Sequence, residues 1–111
     1  MKPLYRGDTR TVRVTITDED GAVNIGGHTL WVTFKKKLTD ADPGALQVSA
    51  VQPTNASTAV GIGEVVLPSA STDTLAPGMY YYDVQWVAPG IVKTVEAGRV
   101  RVKADRTRST S

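Results

Sequence analysis

The chain has 111 residues, of which 41% are hydrophobic and 22% charged, a balance typical of one folded domain with a two-layer core. Its formal net charge is only +2, so a large electrostatic affinity for nucleic acid is not expected. There is no cysteine, which excludes disulfides, thiolate metal sites and cysteine nucleophiles.

The start of the chain has none of the features of a secretory signal. Residues 1–8 contain no apolar core segment, and no hydrophobic run approaches the roughly 20 residues of a membrane-spanning helix. We therefore expect a protein made in the cytoplasm, without a signal peptide or a membrane partner. Residues 1–8 are predicted to be a lead-in, 9–103 a single β-domain and 104–111 a flexible tail.

Two stretches in the first third of the chain alternate apolar and polar residues, 10–17 and 28–36. A period of two predicts β-strands. The apolar members are predicted to face a core; they are Val12, Val14, Ile16, Leu30, Val32 and Phe34. The opposite face of the second strand carries Trp31 and Lys35. An acidic turn that ends at Gly21 separates the two stretches and is typical of a hairpin.

The middle of the chain is less regular. Residues 39–44 are predicted to be a loop with a helical turn before Pro43. Residues 45–51 and 60–67 indicate further strands, although glycines obscure the register of the second. The crossover 68–75 is predicted to hold a single helical turn.

The stretch 77–87 carries most of the aromatic side chains and is predicted to be the central strand. Tyr80, Tyr82, Val84 and Trp86 are predicted to point into the core, and Tyr81 away from it. Two interpretations of the Tyr80 hydroxyl stay open. It either bonds to an upstream backbone group, as in a tyrosine corner, or remains in water while the ring packs.

The last strand, 91–103, changes phase along its length, because Ile91, Val95 and Ala97 occupy odd numbers whereas Val100 and Val102 occupy even ones. We predict a β-bulge near Gly98. About seven short strands divided by turns predict an all-β protein, an antiparallel immunoglobulin-like β-sandwich with at most one short helical turn.

No catalytic constellation is recognisable. His28 is the only histidine, and there is no G-x-S-x-G nucleophile motif beside which it would act, so a turn residue is the favoured interpretation. The acidic clusters 18–20 and 40–42 lack the ligand spacing of a calcium loop. We predict a protein that is not an enzyme and has no metal site and no cofactor.

The predicted outer face combines basic and aromatic residues. A nucleic-acid surface is one interpretation, but solvated lysines and arginines that protect a strand edge are favoured. Outward aromatics on a sheet are either covered by a loop or contact a partner. We select the following partner-contact residues: Trp31, Tyr81, Lys35, Arg99 and Arg101.

Three segments together resemble a known family. They are 3–21, with its Tyr-Arg-Gly-Asp start and acidic turn; the strand that ends at Lys35-Lys36, with the loop 40–42; and 75–84, with its Pro-Gly turn and alternating tyrosines. This pattern resembles small β-sandwich proteins of tailed bacteriophages and prophages, including the N-terminal domains of baseplate upper proteins and tail-fibre proteins. The similarity runs from about Pro3 to Val102.

The resemblance implies a virion structural protein of the tail, the baseplate or the head–tail region. It also implies contacts with other phage structural proteins and a homo-oligomer, and it carries over no catalytic residue. Unlike baseplate upper proteins, the chain does not continue into a coiled coil, so a free-standing subunit is also an interpretation. The alternative from another class is a module that binds carbohydrate or a host surface, since outward Trp and Tyr side chains stack on sugars.

Overall fold

A computed structural model describes residues 1–37 and 44–104. They are mostly β, as predicted. The strands are β1 (Leu4–Tyr5), β2 (Arg10–Thr15), β3 (Thr17–Asp18), β4 (Gly21–Ala22), β5 (Thr29–Lys35), β6 (Leu46–Val51), β7 (Ile62–Leu67), β8 (Gly78–Ala88) and β9 (Ile91–Lys103). The helices are α1 (Ala56–Ala59) and α2 (Ser69–Thr72). The helical turn predicted before Pro43 and nearly all of the predicted tail lie outside the described residues.

The strands form one large sheet and two small ones. The large sheet has five strands in the order β1-β9-β8-β5-β6, so β8 is central, as predicted. Its pairs are antiparallel except for β1, which runs parallel to β9. β2 and β7 pair with each other. β3 and β4 form a hairpin whose turn leads into Gly21, where φ is +111°. The five-stranded sheet is therefore mixed rather than purely antiparallel.

The alternation in β8 decides which face of the large sheet is buried. Tyr80, Tyr82, Val84 and Trp86 are only 1%, 6%, 1% and 8% exposed. The antiparallel register continues this buried face into β5. One core cluster joins it to side chains of β2 and β7. Each core residue predicted from the sequence is buried; they are Val12, Val14, Ile16, Leu30, Val32, Phe34, Tyr80, Tyr82, Val84 and Trp86.

The Tyr80 hydroxyl reaches back along the chain. It donates a hydrogen bond to the carbonyl oxygen of Ala76 at 2.7 Å, while the ring is almost fully buried. The first of the two interpretations is therefore correct. This bond ties the start of β8 to the turn that follows α2.

The predicted limit of one helical turn is wrong, because the described residues contain two helices. α1 forms because Asn55 caps it: the Asn55 side chain accepts from the Thr58 N–H at 2.9 Å, and the Thr58 hydroxyl accepts from the Asn55 N–H at 3.0 Å. A capping box usually closes with Glu or Gln. Threonine in that position made this helix start hard to recognise in the sequence.

The bulge predicted near Gly98 is present in β9 but lies three residues earlier, at Val95. The register of β8 and β9 shifts between Val84 and Gln85, which leaves Val95 as the extra residue. Gly98 pairs regularly, and its role is steric: a Cβ there would lie 3.2 Å from the Cε1 atom of Tyr82. The glycine lets this large ring pack against the backbone of β9.

Residues 1–8 are more than the predicted lead-in. Leu4 is fully buried, and β1 pairs with Val102 and Lys103 at the end of β9. The Arg10 guanidinium also donates to the carbonyl oxygen of Lys2 at 3.2 Å. The first residues therefore belong to the folded unit. A two-residue strand has no periodicity from which it could be recognised.

Gln52 links the five-stranded sheet to the β2–β7 sheet. Its side chain is 3% exposed, donates to the Glu64 carbonyl oxygen at 2.9 Å and accepts from the Glu64 N–H at 3.0 Å. These are the two bonds that a neighbouring strand would make. One side-chain amide thus replaces a strand at the edge of β7 and holds the end of β6 beside it.

Replacing Gln52 by leucine should lower the free energy of unfolding by about 2 kcal/mol, because both backbone groups of Glu64 lose their partner in a largely dry site. Chemical denaturation measures this change. Gln85→Leu, on the half-exposed opposite side of the sheet, is the control and should change stability by less than about 0.5 kcal/mol. Equal effects of the two variants would contradict the role of the amide.

Candidate functional site

The side of the five-stranded sheet that faces away from the core is the candidate site, and we call it the outer face. It is formed by odd-numbered residues of β5, β6 and β8 and by the β9 residues that pair with them, which are even-numbered before the bulge at Val95 and odd-numbered after it. The register places these residues in rows. One row holds Lys35, Tyr81 and Arg99. The next holds Gln47, Thr33, Asp83 and Ala97. The third holds Ser49, Trp31, Gln85 and Thr94.

Three of the five predicted contact residues meet in one recess of about 360 Å³. Lys35, Tyr81 and Arg99 line it, together with Thr33, Tyr82, Asp83, Ala97 and Gly98. The recess exists because Ala97 and Thr33 have short side chains, whereas Lys35, Tyr81 and Arg99 in the neighbouring row have long ones. The other two predicted residues, Trp31 and Arg101, lie on the same face but outside this recess.

The aromatic residues of the outer face are only partly buried. Trp31 and Tyr81 both have intermediate exposure. Met79, which pairs with Arg101, is 45% exposed. Thr33 differs from its neighbours, because it is only 4% exposed and accepts a hydrogen bond from the Gln47 amide at 3.2 Å. The Gln47 side chain therefore packs beside Thr33, and Trp31 and Tyr81 lie in the rows on either side of it.

Positive charge dominates one end of the outer face. Lys35 and Arg99 flank Tyr81 in one row, and Arg101 and Lys103 follow along β9. The Lys103 ammonium lies 5.7 Å from the centre of the Tyr5 ring, a cation–π distance. Asp83, in the adjacent row, is the acidic residue of this region. This end combines flat rings with cations and suits an acidic, partly apolar partner.

The opposite end of the outer face is apolar, which the sequence analysis missed. The register aligns Val51, Thr29, Val87 and Val92 in one row beside that of Trp31. Val51 and Val92 are each 69% exposed. The odd number of Val51 was an available signal, since it shares the parity of Trp31 and Tyr81. Val92 is even-numbered and reaches this face only because the bulge at Val95 shifts the register of β9. Trp31 thus stands between a basic end and an apolar end.

A buried tyrosine forms the inner wall behind the recess. The Tyr82 hydroxyl donates to the Glu96 carboxylate at 2.8 Å. Burial, the hydrogen bond and the charge of Glu96 together raise the pKa of Tyr82 to about 12. Burial also raises the pKa of Tyr80. At neutral pH both hydroxyls are therefore protonated and act as hydrogen-bond donors.

His28 is engaged in packing at the start of β5. Its Nδ1 atom accepts a hydrogen bond from the Trp86 indole N–H at 3.0 Å, and the two ring centres are 5.8 Å apart. The sequence indicated a turn residue. This contact adds a second function, which is to satisfy the polar edge of a tryptophan in the core.

Residues 1–37 and 44–104 contain no group of three or more His, Cys, Asp or Glu side chains arranged to hold a metal ion. Over the same part of the chain, the helices are too short and polar for any of them to span a bilayer.

On the outer side of the β2–β7 sheet, Arg13 and Glu64 form a salt bridge at 2.8 Å.

No protein-family model matches the chain, and no curated protein matches its sequence.

The free energy of unfolding should fall as the pH rises from about 10 towards 12. The unfolded chain releases the Tyr82 proton near the ordinary pKa of 10.0, whereas the folded chain keeps it until about 12, so that ionisation favours unfolding in this window. Tyr82→Phe should remove this part of the alkaline loss, measured by denaturation at several pH values. In Tyr81→Phe, which keeps the bond to Glu96, the loss should remain. A Tyr82→Phe profile as steep as that of the wild type would contradict the assignment.

Proposed function

We propose that the protein is a non-enzymatic structural protein of a tailed bacteriophage or prophage virion, in the tail, the baseplate or the head–tail region. It acts through protein–protein contacts made by the outer face. The observation that carries this proposal is the arrangement of that face. One continuous surface holds two partly exposed aromatics, Trp31 and Tyr81, beside the cations Lys35, Arg99 and Arg101.

The proposed fold is an immunoglobulin-like β-sandwich. The order β9-β8-β5 corresponds to the G-F-C order of such domains, and the β2–β7 pair corresponds to strands B and E. The bond from Tyr80 to Ala76 has the geometry of a tyrosine corner, with the hydroxyl reaching a few residues upstream. The core residues shared by the two sheets support the same assignment.

The phage assignment is supported by the resemblance described above. Its segments take structural parts in the domain: the first segment contributes β1 and β2, and the last contains Tyr80 and its turn. A module built this way holds its outer face on a rigid sheet. Rigid aromatics lose little side-chain entropy on binding, and arginine is enriched at protein interfaces. The partners are other phage structural proteins, and the chain reaches them as a virion component made in the bacterial cytoplasm.

The class is tested by analysing purified particles. If the proposal is correct, mass spectrometry of virions from an induced lysogen detects this chain in a fixed ratio to the major structural proteins. The ratio should survive density-gradient purification. A chain that is found only in the particle-free fraction contradicts a virion role.

Trp31→Ala should leave the free energy of unfolding within about 1 kcal/mol of the wild type, because the side chain lies on the outer face and not in the core. Incorporation into particles should nevertheless fall severalfold. Trp86→Ala is the matched comparison and should destabilise the domain by about 3–5 kcal/mol, since Trp86 is 8% exposed. Normal incorporation of stable Trp31→Ala would contradict the contact role.

A second candidate function, binding of carbohydrate or a host surface, is favoured by the recess itself. Tyr81 offers a ring, while Asp83 and Arg99 offer an acceptor and donors within the same concavity of about 360 Å³. Aromatic rings stack on the apolar faces of sugars, and charged groups bond to the hydroxyls. This combination suits a mono- or disaccharide unit.

A glycan array separates the two candidates. If the recess binds sugar, a defined group of glycans gives signal, and Tyr81→Ala abolishes it while Trp31→Ala, outside the recess, retains it. Signals at background level with the wild-type protein would contradict this second candidate and leave protein contact as the function.

A further inference from the structure

The free edges of the five-stranded sheet are protected unequally. β9 is covered by β1 only at Val102 and Lys103, so most of its length lies open on that side. This open stretch carries charges at Lys93, Glu96 and Arg99, and a bulge at Val95. Charges and bulges prevent a strand edge from pairing with another chain.

The opposite edge strand, β6, has neither charges nor a bulge, and only its end at Gln52 is held beside β7. Among the described residues it pairs only with β5, over six residues, Leu46–Val51, and its register is regular throughout. It contains no charge and no proline. The uncharged stretch is far longer than the strand, because no Lys, Arg, Asp or Glu occurs between Gly44 and Gly63. An open, regular and neutral edge is a template for strand addition.

The register identifies the backbone groups that face outward. Gln52 donates its N–H to the carbonyl oxygen of His28 at 2.8 Å, so even-numbered residues form the hydrogen-bonded pairs with β5. Bonded and non-bonded pairs alternate along an antiparallel ladder. The N–H and C=O groups of Gln47, Ser49 and Val51 therefore point to the open side.

We propose that β6 pairs antiparallel with β6 of a second copy of this chain, around a twofold axis near Ser49. The strand is self-complementary, because the three outward N–H groups alternate with the three outward C=O groups. It carries no charge, so no like charges meet in the pair. With the axis at Ser49, each Ser49 lies opposite Ser49 of the other copy, and Gln47 lies opposite Val51 of the copy. Paired residues then share a face of the joined sheet, and the 69%-exposed Val51 gains a cover.

This pairing would join two five-stranded sheets into one and make their outer faces continuous. The pairing is made by backbone groups along the edge of β6, whereas the side chains of Gln47, Ser49 and Val51 remain on the outer face. It does not depend on the virion role. A six-residue strand junction buries less area than a standard stable interface, so the dimer should be weak and concentration-dependent.

Sedimentation velocity of the full chain, from about 10 µM to 1 mM, should show a monomer that converts to a dimer within this range. Amide hydrogen exchange at Gln47, Ser49 and Val51 should slow as the dimer forms. A monomer throughout the range, with these amides unprotected, would overturn the proposal.

Substitutions at the proposed axis give the sharper test. Ser49 is exposed, so Ser49→Lys should fold normally while placing two lysines opposite each other, and dimerisation should weaken at least roughly tenfold. Ser49→Glu should do the same, and mixing the two variants should restore the dimer as a heterodimer. Thr94→Lys, which adds the same charge to exposed β9, is the control and should dimerise like the wild type.

If Ser49→Lys dimerises like the wild type, or if the mixture of opposite charges fails to restore the dimer, β6 is not the contact and the proposal is overturned. Thermal unfolding followed by circular dichroism verifies that each variant is folded before its association is compared.

Discussion

The burial of one face of β8 is the constraint on which the rest of the structure depends. Four large side chains, Tyr80, Tyr82, Val84 and Trp86, lie inward from a single strand. Because β8 is central, its register fixes the parity of its neighbours and so decides which residues the outer face presents. The inner polar groups are satisfied locally, by Ala76 for Tyr80, Glu96 for Tyr82 and His28 for Trp86. Each aromatic thus gains burial without leaving its polar atom unpaired.

The burial of one face of β8 also determines where the proposed contact surfaces lie. Residues with the opposite parity cannot enter the core, so rings and cations collect on the outer face, in the row of Lys35, Tyr81 and Arg99. At the sheet edges, unpaired backbone N–H and C=O groups point outward whatever the side chains are. Whether such an edge pairs with another chain therefore depends on its charge, and β9 is charged whereas β6 is neutral. A partner protein on the outer face and a second copy at β6 therefore use different groups of the molecule, side chains for the first and backbone groups for the second.

Much of this arrangement could be predicted because period-two patterns depend only on local sequence. The inward set of β8 and the outward positions of Trp31 and Tyr81 follow from parity alone. The missed features depend on contacts between distant residues. Gln52 appears polar and loop-like until β7 lies beside it, and Leu4 has a partner only once β9 is placed. The bulge at Val95 was assigned to Gly98 because glycine is the usual local signal, whereas this glycine makes room for Tyr82. The recess was unpredictable for the same reason, since it needs three strands in register.

Hydroxyl-radical footprinting tests the central claim that the outer face is the contact surface. The free chain and the chain within purified particles are oxidised in parallel, and the modification of each Trp, Tyr and Met is measured by mass spectrometry. We predict that Trp31, Tyr81 and Met79 are oxidised in the free chain and protected in the particle, while the buried Trp86 is oxidised slowly in both. Equal oxidation of Trp31, Tyr81 and Met79 in the free and assembled chain would contradict this claim.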